Sequence, residues 1–451
     1  MLRDQLFKEI TRLPVIDVHS HLNRDRICAP AVEEIALYHM LRYHYRAAGM
    51  SEQLLFSYNK PAAAEELFGQ AEKCWPKMEN TGFAWMLKLI LRDLYDFDGP
   101  IGLKTLPKLR DNFAKKNADP GWGKTIMERM NVKRILSSQI KVKPLAAGQW
   151  DANIRFTIED TPFSGNQEFR TWQERLAGIG KDGGMTIHSA QDFRACMHTF
   201  YTKHDWSGKS ALVAWVGSSA DFTPVTDTSI NQIIASIHKG ETVSLAEHCA
   251  LEALYIRGLA EAAREHPRMF QLVYGIQVQT PGAGHHVEKS LPSFAGTLGY
   301  LLGEYPDVHF NILNGCEADE PVLTSLCTAY NNVSLAGFWW QAFYPSVMHD
   351  GWRRRLDKTP NGRLCGFFSD GWCIEWTYGR LRLVQRTLAN VLAEKIERGF
   401  LTEGSAIDLA RRILFESPRQ IFMPEEDLDA GLRASFAHKK APAAKPKRKT
   451  R

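Results

Sequence analysis

Two histidines separated by one residue, His19 and His21, end an apolar run that begins at Leu13. The run is typical of a short buried β-strand. Side chains two positions apart on a strand point the same way, so both imidazoles can face one point just past the strand end. Neutral imidazole is the commonest protein ligand for zinc and similar ions. The pair therefore predicts half of a metal site, with a chance pair in a loop as the alternative.

Asp370 is the carboxylate that completes this site in the simplest arrangement. It follows the apolar run 364–368, which we interpret as the last strand of an eight-stranded barrel. The first and last strands of a closed barrel are neighbours, so Asp370 would approach both histidines and leave an open position for water or substrate. Zinc is the first choice for such a site, with Mn, Fe or Co as alternatives. A turn or helix-capping role for Asp370 is the other interpretation, and it is compatible with metal binding.

Eight apolar or β-branched runs alternate with helix-length segments along the chain. After the first run at 13–22, they occupy residues 132–136, 154–158, 211–216, 270–276, 308–313, 332–336 and 364–368. This count predicts an α/β fold, a (β/α)8 TIM-like barrel with its chemistry at the carboxyl ends of the strands. A doubly wound sheet would alternate in the same way, but no Gly-rich phosphate fingerprint follows any run.

Residues 30–130, between the first two predicted strands, are rich in Ala, Leu, Glu and Lys. Apolar residues three to four positions apart predict helices over 31–46, 62–77 and 83–95. We therefore expect a helical insertion after strand 1 of a single barrel that spans residues 1–436. A chain of 451 residues with 44% hydrophobic content can bury a core of that size.

The net charge of +5 is concentrated at the carboxyl terminus. Residues 437–451 contain seven Lys and Arg and no acidic residue, so the rest of the chain carries 5 minus 7, or about −2. A Lys/Pro/Ala segment of this kind buries too little apolar surface to fold, which predicts a disordered basic tail. No basic and aromatic pattern in the body supports a role in binding nucleic acid.

The sequence has no run of eighteen apolar residues, and its first residues lack the apolar core of a signal peptide. We therefore expect a cytoplasmic protein without a membrane partner. The eight cysteines form no C-x-x-C pair and are interpreted as reduced thiols that fill the core. A homo-oligomer is compatible with these features.

His19, His21 and Asp370 match the barrels of the amidohydrolase superfamily, the metal-dependent hydrolase type. The finer pattern resembles one branch of it, the uronate (glucuronate) isomerases. The resemblance covers roughly residues 8–424, and it is carried by the stretches 13–22, 42–46, 332–340, 366–370 and 417–422. It implies a divalent metal and the interconversion of the aldose and ketose forms of a hexuronate of the glucuronate or galacturonate type.

The resemblance also implies roles for individual residues. Asp370 would move protons as well as bind metal. His44 and Tyr45 match a His-Tyr pair that reaches the substrate, where Tyr45 would donate to a sugar oxygen or help to move the proton between C1 and C2. Packing over the barrel mouth is the alternative for both. Trp339 and Trp340 follow the seventh strand and would wall the sugar pocket, with core packing as their alternative.

The chain departs from the family where the uronate would be recognised. Val273 stands where the fifth strand of family members has a histidine, and Gly371-Trp372 replaces a Ser-Arg pair whose arginine can hold a carboxylate bidentately. Residues that could replace the lost groups lie in the insertion, in the connection before the eighth strand, after it, and in a Gly-rich loop after strand 5. They are Arg46, Arg353 to Arg355, Arg380, His285 and His286.

Two other functions remain open at this point. One is a metal-dependent hydrolase of the same superfamily, in which Asp370 takes a proton from water as it attacks an ester, lactone or amide. The other is a barrel that has lost catalysis and keeps a binding role. Exchange of the substrate proton at C2 is expected of the isomerase alone, and oxygen from water is expected in the product of the hydrolase alone.

Overall fold

A computed structural model gives the fold. It describes residues 1–22, 26–38, 41–55, 61–138, 154–159, 171–203, 209–216, 220–265, 269–277, 287–288, 294–339 and 344–424. Three candidate site residues, His285, His286 and Trp340, and the predicted basic tail at 437–451 lie outside the described residues.

A parallel sheet forms the centre of the protein. Within the described ranges it has seven strands in the spatial order β1-β2-β3-β4-β5-β8-β9, and every neighbouring pair is parallel. The strands are β1 (Val15–Ser20), β2 (Val132–Ser138), β3 (Ile154–Glu159), β4 (Lys209–Val216), β5 (Met269–Tyr274), β8 (Phe310–Asn314) and β9 (Val333–Leu335). A separate antiparallel ribbon consists of β6 (Ile276–Gln277) and β7 (Val287–Glu288).

Residues 364–368 close this sheet into a barrel. On one side Leu364 forms a parallel bridge with Leu335 of β9. On the other side the backbone nitrogen of Val18, in β1, donates to the carbonyl of Phe367 at 3.3 Å. The segment therefore serves as the eighth strand between β9 and β1, and the predicted (β/α)8 barrel is confirmed together with all eight of the predicted strand positions.

Helices cover the outside of the barrel. After α1 (Leu2–Ile10), the described part of the insertion between β1 and β2 has seven helices, which confirm that it is helical: α2 (Val32–Ala36), α3 (Leu41–Ala47), α4 (Glu52–Leu55), α5 (Pro61–Cys74), α6 (Gly82–Tyr95), α7 (Leu106–Asn117) and α8 (Trp122–Met130). The helices after the insertion are α9 (Trp172–Gly183), α10 (Ala190–Lys203), α11 (Asp227–His238), α12 (Leu245–Glu265), α13 (Leu298–Glu304), α14 (Glu320–Ala329), α15 (Pro345–Lys358), α16 (Ile374–Glu397), α17 (Glu403–Arg411) and α18 (Ser417–Phe422). Among the helices that are described, none has both the length and the apolar character that spanning a membrane requires.

The hydrophobic core has two parts because alternate residues of each strand point to opposite sides of the barrel wall. Val273 of β5 packs in an inner cluster with Val18 and Phe368, whereas Phe270 and Leu272 of the same strand pack outward among the helices. The barrel interior is thus a packed core rather than a pore. A few buried polar side chains, Gln271 and Asn311 among them, also lie inside the wall, and Val273 is a core residue.

Candidate metal centre

His19, His21 and Asp370 meet at the carboxyl end of β1. One nitrogen or oxygen atom from each lies within 4.8 Å of the other two. Asp370 Oδ1 is 3.1 Å from His21 Nε2 and 3.8 Å from His19 Nε2. His19 and Asp370 are 1% and 5% exposed, while the His21 side chain, at 11%, lies nearer the surface. Two imidazole nitrogens and a carboxylate oxygen that converge in this way fit a divalent metal ion.

Backbone hydrogen bonds between β1 and the eighth strand bring these side chains together. The nitrogens of Ser369 and Asp370 both donate to the carbonyl of His19, at 3.1 and 3.0 Å, and the nitrogen of His21 donates to the carbonyl of Gly371 at 2.9 Å. Asp370 has a φ of +50°, in the left-handed region that aspartate tolerates better than most residues. This reversal ends the eighth strand, and the Asp370 carboxylate lies against the histidines.

Asp17 supports the same junction from inside β1. Its Oδ1 accepts hydrogen bonds from the backbone nitrogens of Ser369, at 2.9 Å, and His19, at 3.3 Å. The side chain is fully buried, and burial raises the pKa of Asp17 to about 7 even though these hydrogen bonds and Arg380 act in the opposite direction. We did not single out Asp17 from the sequence, although a carboxylate inside an apolar strand is itself a signal.

The second oxygen of Asp370 is held by the protein. Trp339 Nε1 donates to Oδ2 at 3.1 Å, and Arg380 Nη1 lies 3.9 Å from the same atom. Burial by itself would raise the pKa of Asp370, but the hydrogen bond and charge of His21, with Arg380 and His19, hold it well below its ordinary value. Asp370 is therefore an ionised carboxylate whose Oδ1 faces the histidines.

Arg380 is a buried support under the metal centre. Its side chain is 1% exposed, and its two terminal nitrogens donate to the carbonyls of Ser369 and Phe338. These carbonyls belong to the ends of the eighth strand and of the segment that follows β9. Arg380 therefore fixes two neighbouring parts of the barrel rim and does not extend outward as a substrate-binding arginine would.

Two of the three consecutive arginines that follow β9 are likewise engaged with the protein. Arg355 is 1% exposed, forms an ion pair with Glu320 and donates to the carbonyls of Ala336 and Gly337. Arg353 pairs with Glu394 at 2.6 Å on the surface. The buried member of the run thus stabilises the end of β9 from outside the barrel.

His19 is oriented by a chain of amides inside the barrel. Its Nδ1 lies 3.4 Å from Gln271 Oε1, and Gln271 Nε2 donates to the carbonyl of Val18 at 2.8 Å and to Asn311 Oδ1 at 3.2 Å. Because the amide nitrogen already faces two acceptors, the amide oxygen is left to accept from Nδ1–H of His19. This fixes the proton on Nδ1 and directs the Nε2 lone pair toward the metal position.

The helical insertion reaches the metal centre through Tyr38, which the sequence did not identify. Its hydroxyl donates to the carbonyl of Asp370 at 3.2 Å and accepts from the backbone nitrogen of Trp372 at 3.3 Å. The Tyr38 ring stacks on Trp376 with centroids 4.5 Å apart. An aromatic residue at the end of an apolar helix resembles core packing, so only the tertiary contact reveals its role.

The other candidates from the insertion lie on α3. The centroids of the His44 and Phe83 rings are 4.8 Å apart. Tyr45 is fully buried in the core of the insertion, where burial and the nearby Cys74 raise the pKa of its phenol. Its hydroxyl has no hydrogen-bond partner among the described residues. Arg46, one residue further on, is half-buried. The structure thus brings Trp339 to His19, His21 and Asp370 and places His44, Tyr45 and Arg46 together on a helix of the insertion.

Comparison with known proteins gives related sequences and related folds. No protein-family model matches the chain. The uronate isomerase of Thermotoga neapolitana is 19% identical over 448 residues, which cover 93% of this chain and 96% of that protein. The crystal structure of the Thermotoga maritima uronate isomerase matches with a TM-score of 0.80 and 18% identity, over 94% of this chain and 97% of that one. The Caulobacter crescentus glucuronate isomerase matches with a TM-score of 0.75 and 12% identity, over 95% of both chains. The fold is therefore shared along nearly the whole length.

Proposed function

We propose that the chain is a divergent relative of the uronate isomerases and that it interconverts the aldose and ketose forms of a hexuronate or a related sugar acid. One observation carries the proposal: His19, His21 and Asp370 converge within 4.8 Å at the strand ends of a fold shared with those isomerases. The carboxyl end of the strands is where barrels of this class carry out their chemistry.

We propose one divalent metal ion, zinc first, with Mn, Fe or Co as alternatives. His19 and His21, through Nε2, and Asp370, through Oδ1, would hold it. When bound, the ion supplies Lewis-acid polarisation of the oxygens on C1 and C2 of the sugar. Gln271 supports this assignment because it leaves the Nε2 atom of His19 available as a ligand.

The conversion of aldose to ketose moves one proton from C2 to C1 and another from the C2 hydroxyl to the C1 oxygen. In the proposal Asp370 takes the proton from C2 and returns it to C1. Trp339 and Arg380 both lie at Oδ2 and keep Asp370 in the ionised form that can take a proton, although the same contacts make it a weaker base.

His44, Tyr45 and Arg46 remain proposed substrate contacts, as do Trp339 and, outside the described residues, Trp340, His285 and His286. The contact of Tyr38 with Asp370 supports a role for the insertion at the site. The Tyr45→Phe variant tests the α3 residues, because it removes one hydroxyl and leaves the ring. A role in proton transfer requires kcat to fall by about a hundredfold with the metal retained; unchanged kcat and KM would remove Tyr45 from the mechanism.

Proton NMR in D2O tests the proposed reaction. We expect metal-loaded protein to convert D-glucuronate or D-galacturonate to a ketose, with deuterium appearing at C1 of the ketose and, through the reverse reaction, at C2 of the aldose. The His19→Ala variant, which loses a proposed ligand, should lose both metal and turnover. Wild-type protein with one equivalent of metal that gives neither ketose nor exchange would contradict the proposal.

We also propose a cytoplasmic location. All eight cysteines are free thiols, and seven of them are buried. Reduced cysteines are the normal state in the cytoplasm, where thiol-based buffers oppose disulfide formation.

A further inference from the structure

Trp372 is an aromatic side chain left exposed beside the metal ligands. It follows Asp370 by two residues, and 57% of its surface is accessible. Its ring stacks on the His21 ring with centroids 4.9 Å apart and planes 22° from parallel. One metal ligand therefore lies against one face of the indole, while much of the remaining surface meets solvent. Single exposed apolar side chains are common on protein surfaces, but this one lies against a proposed metal ligand, where a substrate would bind.

The backbone that leads into Trp372 is fixed. Its own nitrogen donates to the hydroxyl of Tyr38, and the nitrogen of Gly371 donates to Ser369 Oγ at 3.1 Å. A Cβ atom at position 371 would lie 2.6 Å from Thr377 Oγ1, so the tight turn before Trp372 requires glycine. A surface held in this way loses little conformational entropy when a ligand binds.

Among the described residues, Arg380 and Asp370 direct their charges away from Trp372 and into the protein. Arg380 lies beneath Asp370 and donates to two backbone carbonyls. Asp370 faces the histidines with one oxygen and Trp339 with the other. A ligand that binds at Trp372 therefore meets an uncharged aromatic face, next to the proposed metal-binding atoms.

We infer that Trp372 is the platform on which the C–H face of the pyranose ring of the substrate stacks, a specificity role that rests on the proposed function. Sugar rings carry C–H bonds on their faces and hydroxyls around their edges, so a ring on the indole can turn its oxygens to the neighbouring ligand cluster. The negative face of an aromatic ring attracts the slightly positive C–H hydrogens. Hexuronic acids in water are mainly cyclic, so the pyranose that stacks on Trp372 is also the form of the substrate that first reaches the site.

Binding of methyl β-D-glucopyranosiduronate to zinc-loaded protein tests the platform. The glycoside is locked as a ring and cannot isomerise, so its affinity is measured without turnover. We expect Trp372→Ala to weaken the Kd by roughly threefold to tenfold, Trp372→Leu to do the same, and Trp372→Phe to stay close to wild type. Saturation-transfer NMR should show the strongest effects on the ring C–H protons. Zinc stoichiometry and melting temperature should not change.

Trp85→Ala is the matched control, because Trp85 is an exposed tryptophan (37%) on α6 of the insertion. An equal Kd for wild type and Trp372→Ala, an equal loss in Trp85→Ala, or no saturable binding by wild type would overturn the inference. With free hexuronates, loss of the platform should raise KM far more than it lowers kcat. Binding that depends on Trp372 without any turnover would overturn the proposed reaction alone, whereas turnover with binding independent of Trp372 would overturn the platform alone.

Discussion

At the residue scale, His19 and His21 show what strand geometry makes predictable. Their spacing and position at the end of an apolar run identified them, and barrel closure identified Asp370 as their partner. Gln271, Trp339 and the other supports of the ligands act through contacts between residues far apart in sequence. No spacing rule gives such contacts, because they depend on which strands become neighbours and on how far each side chain reaches.

Gln271 gives the first prediction. Replacing it with Met keeps the length of the side chain but removes the oxygen that accepts from His19 Nδ1–H. Supports of metal ligands typically contribute a factor of ten to a hundred in affinity, so we expect zinc affinity to fall by about that factor. Competition with a chelating dye measures the zinc affinity of each protein. Equal zinc affinity in wild type and Gln271→Met would exclude a role for this contact.

Asp17 gives a prediction about pH in the metal-free protein. Its pKa is raised to about 7 in the fold from an ordinary value of 3.8. Between these values the folded state binds the proton more strongly than the unfolded state does, so the contribution of Asp17 to stability is full below pH 4 and is lost as the pH rises toward 7. The loss is at most about 4 kcal/mol.

Asp17→Asn should remove this dependence, because the amide oxygen can still accept from Ser369 and His19 but the side chain no longer titrates. Urea unfolding of both proteins between pH 4 and 8 compares their free energies of unfolding. The difference between wild type and variant should shift steadily in favour of the variant as the pH rises. A difference that stays constant over this range would show that Asp17 does not titrate there.

At the element scale, the strands were predictable because strands of a parallel barrel are buried on both sides and appear as apolar runs. The helices of the insertion were harder to predict from the sequence. Apolar spacing predicted one helix over 31–46, but the structure has α2 ending at Ala36 and α3 beginning at Leu41. The helix ends where Tyr38 turns to bond the carbonyl of Asp370. A contact with the barrel has thus overridden local helical preference, and the interruption links the insertion to the metal centre.

The turn after the eighth strand gives a prediction at this scale. In Gly371→Ala the new methyl group would meet Thr377 Oγ1 at 2.6 Å and Ser369 Oγ at 3.1 Å, so the turn that carries Asp370 must shift. We expect a loss of about 1–3 kcal/mol in stability and weaker zinc binding. Chemical denaturation and zinc titration measure the two effects.

Gly362→Ala is the matched control, since a Cβ atom there has no other atom within 4 Å. It should change stability by no more than about 0.5 kcal/mol. The double variant Gly371→Ala with Thr377→Ala should recover part of the loss, because it removes the closest contact. Equal behaviour of the two single variants would contradict a steric requirement at the turn.

At the scale of the whole molecule, the metal centre and the stability of the barrel have largely separate origins. The inner cluster around Val18, Val273 and Phe368 and the outer core between strands and helices are apolar and continuous without any ion. The three proposed ligands, His19, His21 and Asp370, come from two neighbouring segments at one end of the barrel. Small metal-dependent domains differ in this respect, since their folding free energy is mainly the binding free energy of the metal.

Removal of the metal should therefore lower stability without unfolding the chain. A ligand that binds only the folded state adds about 2.7 kcal/mol at a hundred times its Kd, which amounts to a few degrees in melting temperature for a chain of this size. Calorimetry with EDTA and then with zinc measures the shift, with unchanged far-UV circular dichroism expected in both. His19→Ala should melt at one temperature in either condition. If the wild-type protein unfolds in EDTA, the ion and not the apolar barrel holds the strands together. If its melting temperature is the same with and without zinc, the assignment of the three ligands is wrong.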